Sequence, residues 1–342
     1  MITKSIFGKA GEQDIELVRL SNSTGMSVSL ISLGAAVQSV IVPDKAGKLE
    51  DVVLGFDDPA GYLSDASYIG VVCGRYANRI HNSVFEIDGK TYQVNKNEGA
   101  NCLHGGISGF NKKIWKVLEQ SDGKENAVSF TYVSDNMEEG FPGILDTRVT
   151  YQVEEDNTLS IIYEAVTSQP TYLNLTNHSY FNLTGARRDI MNHELLMHAS
   201  KMTENDSANI PTGKILPVRG TAWDFTGFKK LGRDAAAAGG GYDHNFILDK
   251  KEGNTAMAVL QDPDSGRRLE CITSEPAIQL YTANHFNGSQ SGKKGIKYNK
   301  HFGICLEAQH YPDSMHHPHF PQTLLLPGQV YRQTTIYRFT TI

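Results

Sequence analysis

Apolar and polar residues alternate with period two along much of the chain and are interrupted by turn dipeptides, a pattern that predicts strands joined as hairpins. Val84-Phe85-Glu86-Ile87 and Thr91-Tyr92-Gln93-Val94 flank Asp88-Gly89, a pair suited to a two-residue hairpin loop. Residues 115–119 and 128–133 surround Asp122-Gly123, and residues 147–153 and 159–165 surround Asp156-Asn157. Three successive hairpins imply an antiparallel sheet. Further strand-like runs cover 15–20, 26–33, 38–42, 277–282 and 330–340. One helix is expected over 229–238, where an alanine run ends in Gly239-Gly240-Gly241. Many short strands with close turn signals predict an all-β sandwich or barrel. No linker or internal repeat divides the sequence, so 1–342 reads as a single domain.

Composition narrows the partners. The 342 residues carry 32 Lys+Arg against 38 Asp+Glu, a formal charge of −6, which argues against nucleic acid because phosphate contacts need a clustered basic surface. Cys73, Cys102, Cys271 and Cys305 are scattered without metal or disulfide spacing and read as reduced, buried thiols. Lys9, Glu12, Asp14 and Glu16 leave no room for the apolar core of a signal peptide, and the uncharged stretch 20–43 is too rich in serine to span a bilayer. A soluble cytoplasmic protein with no membrane partner is the expectation.

Three segments approach known motifs and miss. His193-Glu194-Leu195-Leu196-Met197-His198 has one residue too many for a zinc-protease helix, so its histidines share no face of a helix or strand. Gly288-Ser289-Gln290-Ser291-Gly292-Lys293-Lys294 is one residue short of a phosphate loop and reads as a flexible basic loop. His316-His317-Pro318-His319 lacks an adjacent carboxylate or cysteine and reads as an exposed turn. No metal and no cofactor is expected.

Five other segments concentrate polar groups beyond what a core requires. Gly74-Arg75-Tyr76-Ala77-Asn78-Arg79-Ile80 brings two arginines and an asparagine beside an apolar run. In Asn101-Cys102-Leu103-His104-Gly105-Gly106 the paired glycines would let backbone approach a ligand closely. Leu173-Asn174-Leu175-Thr176-Asn177-His178-Ser179-Tyr180-Phe181-Asn182-Leu183 alternates apolar with hydrogen-bonding side chains, as a strand with one polar face would. Tyr242-Asp243-His244-Asn245-Phe246 follows a glycine run, and in Cys305-Leu306-Glu307-Ala308-Gln309-His310 partial burial would raise the pKa of Glu307 toward that of a working base.

Taken in order, these five segments resemble the signature segments of the aldose 1-epimerases, or galactose mutarotases, over nearly the whole chain. The resemblance implies a large antiparallel β-sandwich with a sugar cleft, and exchange of the α and β anomers of aldohexoses such as galactose and glucose without cofactor or metal. It places Glu307 as general base and His178 as general acid, with Asn78, Arg79, His104, Asp243 and Gln279 holding the sugar. Tyr76, Tyr242 and Ala308 depart from the usual residues of their motifs, which bears on sugar preference rather than on activity. Tyr76, Tyr180, Phe181 and Phe286 are candidates for stacking on a sugar.

Anomer exchange needs one group to remove the C1 hydroxyl proton and another to protonate the ring oxygen. At their ordinary pKa values of about 4.3 and 6.5, a glutamate is ionised at neutral pH and a histidine is an effective donor if a neighbour keeps it charged. Arg79 can stabilise negative charge that develops on an oxygen. Two alternatives stay open. One is a hexose-6-phosphate 1-epimerase using Lys293, Lys294, Lys297 and Lys300 as a phosphate pocket; the other is a non-catalytic sugar-binding protein of the same fold. The assembly expected is a monomer or homodimer.

Overall fold

The computed structural model describes residues 1–118, 126–249 and 255–342, and antiparallel strands make up nearly all of its regular secondary structure. Three larger sheets carry the architecture among the described residues. The first is a meander of Ile2–Ala10, Gln13–Ser21, Ser27–Ile31, Ala36–Pro43 and Leu49–Asp51. The second has nine strands, in spatial order Lys116–Leu118, Ala127–Ser134, Leu145–Val153, Thr158–Thr167, Tyr331–Thr341, Arg267–Thr273, Ala258–Gln261, Glu194–Met197 and Lys229–Lys230. The third runs Pro211–Pro217, Lys201–Asn205, Asp243–Ile247, Ala277–Tyr281 and Cys305–Gln309. A continuous apolar core joins them: Val28 and Val40 from the first, Phe130, Tyr151 and Tyr337 from the second, Phe246, Leu280 and Leu306 from the third. Each is the inward half of an alternating strand.

Local turn chemistry agrees with the sequence at the hairpins. Val84–Ile87 pairs with Lys90–Gln93 through Asp88 and Gly89, whose φ values of 51° and 75° are the left-handed pair such a loop needs. Leu145–Val153 and Thr158–Thr167 are joined through Asn157 at φ 62°. Lys116–Leu118 pairs with Ala127–Ser134, while the Asp122-Gly123 turn lies outside the described residues. The four cysteines are buried and none is in a disulfide among the described residues. No helix among the described residues is long and apolar enough to cross a membrane.

Two expectations fail, each for a local reason. Residues 229–238 are not a helix: Lys229–Lys230 joins the nine-stranded sheet and turns follow. Lys229 Nζ is drawn inward to the Ala222 carbonyl at 2.7 Å, to Asp234 at 3.0 Å and over the Phe225 ring. An alanine run this short cannot recover the cost of helix nucleation against such contacts. The α-helix that does form, Pro59–Ser64, has Pro59 at its first position and an Asp58 cap that accepts from the Gly61 N–H at 2.9 Å.

Residues 173–183 are not one long strand either. Only Thr176–Asn177 forms a strand in this stretch, paired with Val72–Cys73, and Asn174 and Phe181 make isolated bridges; several of the polar side chains bond backbone instead of lining a face. The Asn174 amide exchanges bonds with the backbone of His310, Thr176 donates to the Ala308 carbonyl, and Asn182 donates to the carbonyls of Arg188 and Phe302.

Candidate active site

The register of the third sheet sets the floor of a cleft. Asn245, Gln279 and Glu307 are directly paired across three strands, and so are Asp243, Tyr281 and Cys305, so all six side chains share one face. The opposite face carries Leu280, Leu306, Phe246, Ile278 and Ala308 into the core. Glu307 therefore stands on a rigid strand that is apolar behind and polar in front.

Loops bring the remaining groups over this face. Asn78 and His104 both hold left-handed backbone, at φ 62° and 51°, and the Asn78 N–H donates to His104 Nδ1 at 3.1 Å. That bond leaves the proton of a neutral imidazole on Nε2. Gly105 serves this loop, since a Cβ there would collide with the Gly74 carbonyl; the close approach is to protein backbone rather than to a ligand. His178 follows the Thr176–Asn177 pairing, and its ring packs 5.2 Å from His104 and 5.0 Å from Tyr180. His178 Nε2 lies 3.6 Å from Glu307 Oε1, and its Nδ1 lies 3.5 Å from Cys305 Sγ.

The resulting cleft has a volume of about 280 Å³ and is lined by Asn78, Arg79, His104, His178, Asp243 and Glu307 among the predicted residues. Gln279 does not line it; its amide donates to Asp243 Oδ1 at 2.6 Å from beneath. Arg79 offers its Nε and Nη2 to the two oxygens of Glu98 at 2.7 and 2.8 Å. Arg75, from the same segment, is structural: it donates to the carbonyls of Ser134, Asp135 and Pro142. Of the stacking candidates only Tyr180 lines the cleft. Tyr76 is buried with its hydroxyl accepting from the Ser314 N–H, Phe181 packs on Tyr337, and Phe286 stacks behind Tyr180.

Burial controls the ionisation of the central pair. It pushes the Glu307 carboxyl well above its ordinary value, Asp243 adds to the rise, and Arg79 opposes it. Burial also lowers His178 to about 4 and holds His104 well below the usual imidazole range. The free pair is thus biased toward neutral carboxyl and neutral imidazole, the reverse of the ionised pair expected from unperturbed values. Both forms hold the same number of protons, so transfer of one proton interconverts them.

Ligand atoms of His104, His178 and Glu307 fall within 4.8 Å of one another, which raises the question of a metal. His104 fits poorly, because Nδ1 is taken by the Asn78 N–H and Nε2 keeps its proton, so it presents a donor to the cleft. The near-miss motifs have structural uses. His193 Nε2 accepts from the Leu183 N–H, and Lys293 is anchored to Asp51 at 2.6 Å rather than held in a flexible loop. His316, His317 and His319 contact Asp313, the Pro211 carbonyl and the Gly213 carbonyl.

Glu98, Tyr68, Tyr281 and His285 also line the cleft and escaped the sequence reading. Tyr281 could have been found from the alternation, two positions beyond Gln279 on the same strand face. Glu98 sits in a polar loop with no periodic signal.

A family model for aldose 1-epimerase matches residues 16–338. The chain is 42% identical to the galactose mutarotase of Mus musculus over 99% of this chain and 98% of that protein. It is 37% identical to the aldose 1-epimerase of Escherichia coli K12 over 96% of each. A crystal structure of an aldose epimerase homologue from C. elegans superposes with a TM-score of 0.89 at 33% identity, covering 95% of this chain and 99% of that one.

Proposed function

Since the chain belongs to the aldose 1-epimerase family and is an isomerase of that kind, we propose that it acts on free aldohexoses such as galactose and glucose, with Glu307 as general base and His178 as general acid. The observation that carries this reading is the 3.6 Å separation of Glu307 Oε1 and His178 Nε2 at the floor of the cleft. The hydroxyl oxygen and the ring oxygen are both bonded to C1, so the two proton-transfer groups must stand close together yet need not bond each other. In the ionised form of the pair, which one proton transfer reaches, Glu307 takes the C1 hydroxyl proton while His178 delivers one to the ring oxygen, and the C1–O5 bond opens to the aldehyde. Rotation about C1–C2 and closure with the roles exchanged give the other anomer.

Around that centre the Nε2–H of His104 and the outer edge of Arg79 are donors, and Asp243, steadied by Gln279, is an acceptor. This donor and acceptor set suits the hydroxyls of a neutral sugar. The volume of about 280 Å³ suits a monosaccharide, lying below the roughly 300–1,000 Å³ of drug-sized sites. None of Lys293, Lys294, Lys297 and Lys300 lines the cleft, which disfavours a phosphorylated sugar. Reading 1–342 as one working unit is supported by a cleft whose lining runs from Ala66 to Glu307.

Polarimetry on freshly dissolved α-galactose tests the reading. Wild type should accelerate the drift in rotation, and Glu307→Gln and His178→Asn should each lower kcat by roughly 10²–10⁴-fold. Full activity in either variant, or a preference for glucose 6-phosphate over glucose, would overturn it.

A further inference from the structure

The reaction as drawn leaves one charged lining residue without a task, Glu98. We propose that Glu98 is the positioning residue for Arg79, fixing which edge of the guanidinium faces the sugar and keeping that cation off the base. The inference rests on the role given above to Arg79.

The geometry is a two-pronged fork. Glu98 Oε2 accepts from Nε and Oε1 from Nη2, at 2.7 and 2.8 Å, so the inner edge of the guanidinium is fully used. Of the five N–H groups of an arginine, three remain on the outer edge, where the one hydrogen-bond partner among the described residues is Asn78 Oδ1, a long 3.5 Å from Nη1. Asp243 and Glu307 are the other carboxylates whose charge acts on Arg79, and both belong to the cleft floor. Without Glu98, those two are the nearest alternatives for a buried arginine that needs a counter-charge. Pairing with Glu307 would occupy the lone pairs that must take the sugar proton.

Glu98 is itself well braced. Its N–H donates to the Asn101 carbonyl and its carbonyl accepts from the Asn101 N–H, at 3.2 and 2.9 Å, closing a tight loop. The side chain of Arg79 is 8% exposed and that of Glu98 36%, so the glutamate holds the arginine from the rim while the arginine reaches inward.

A double-mutant cycle decides the point, with E98A, R79A and their combination assayed on galactose and thermal midpoints recorded for each. E98A should lower kcat/KM on the order of 10- to 100-fold, as a misplaced group does, with the same division between kcat and KM as R79A. The double variant should be no worse than R79A, and E98D should recover part of the loss. E98Q, close in shape, serves if E98A does not fold. Additive losses, or E98A within twofold of wild type, would overturn the inference while leaving the proposed reaction standing. An inactive wild type or an unimpaired R79A would overturn both.

Discussion

The two faces of the sheet formed by Asp243–Ile247, Ala277–Tyr281 and Cys305–Gln309 are about equally shielded from water and chemically opposite. Phe246, Leu280 and Leu306 point one way into hydrocarbon, while Asn245, Gln279 and Glu307 point the other way under the cleft. Burial on the first side stabilises the fold, because apolar area leaves water. Burial on the second side works against it, because an ionisable carboxyl is stripped of solvent with only a neutral imidazole as its near neighbour. One backbone thus carries a stabilising surface and one proposed to be reactive, and the alternation of a strand lets them differ residue by residue.

The sharpest way to break that comparison is to change one residue on each face. Leu280→Ala should cost about 2–5 kcal/mol of stability while leaving kcat within a few-fold below the melting range. Glu307→Gln should do the reverse, removing activity and raising the thermal midpoint at pH 8. The sign follows from a folded-state pKa above the unfolded value: as pH rises past the unfolded pKa the unfolded chain ionises while the native carboxyl holds its proton, so stability falls, and the amide does not ionise. Calorimetry and polarimetry on the two variants check both halves. A Glu307→Gln protein less stable than wild type at pH 8 would mean that the carboxylate is better solvated than its surroundings indicate.

What the sequence disclosed divides along the same line. Hairpins were legible because Asp88-Gly89 and Asp156-Asn157 encode their own backbone conformation. Glu307, His178, His104, Asp243, Arg79 and Asn78 were legible through motif resemblance, and the cleft gathers all six. Gln279 fell one layer behind, since a strand pattern gives the face of a residue but not its depth. Glu98 was invisible because its partner lies 19 positions away in a different element. The run 173–183 misled for a further reason: side chains that bond backbone look, in sequence, like a polar strand face.

A smaller effect concerns two of the buried histidines, one that lines the cleft and one that does not. His178, on the cleft side, and His193, held by the Leu183 N–H, are each lowered to about 4 by burial. Between pH 6.5 and 4 the unfolded chain takes up protons that the native protein refuses. Their contribution is therefore complete above pH 6.5 and is lost as pH falls toward 4, by about 3 kcal/mol each at most. Urea unfolding at pH 7 and pH 4.5 should show a shallower acid loss in His178→Asn than in wild type, with the His193 part remaining. An unchanged slope would mean that His178 titrates alike in both states.

The smallest effect distinguishes a residue that touches the sugar from one that steadies a contact. Gln279 reaches Asp243 with a 2.6 Å amide hydrogen bond and is absent from the lining of the cleft. Gln279→Ala leaves the Asp243 carboxylate in place but free to turn, so binding should weaken by about 1 kcal/mol, roughly a fivefold rise in KM, with kcat nearly unchanged. Steady-state mutarotation kinetics across a galactose series separate the two constants. A fall in kcat of a hundredfold would place Gln279 among the groups acting on the reacting atoms, and the polar face would then be reactive beyond its first layer.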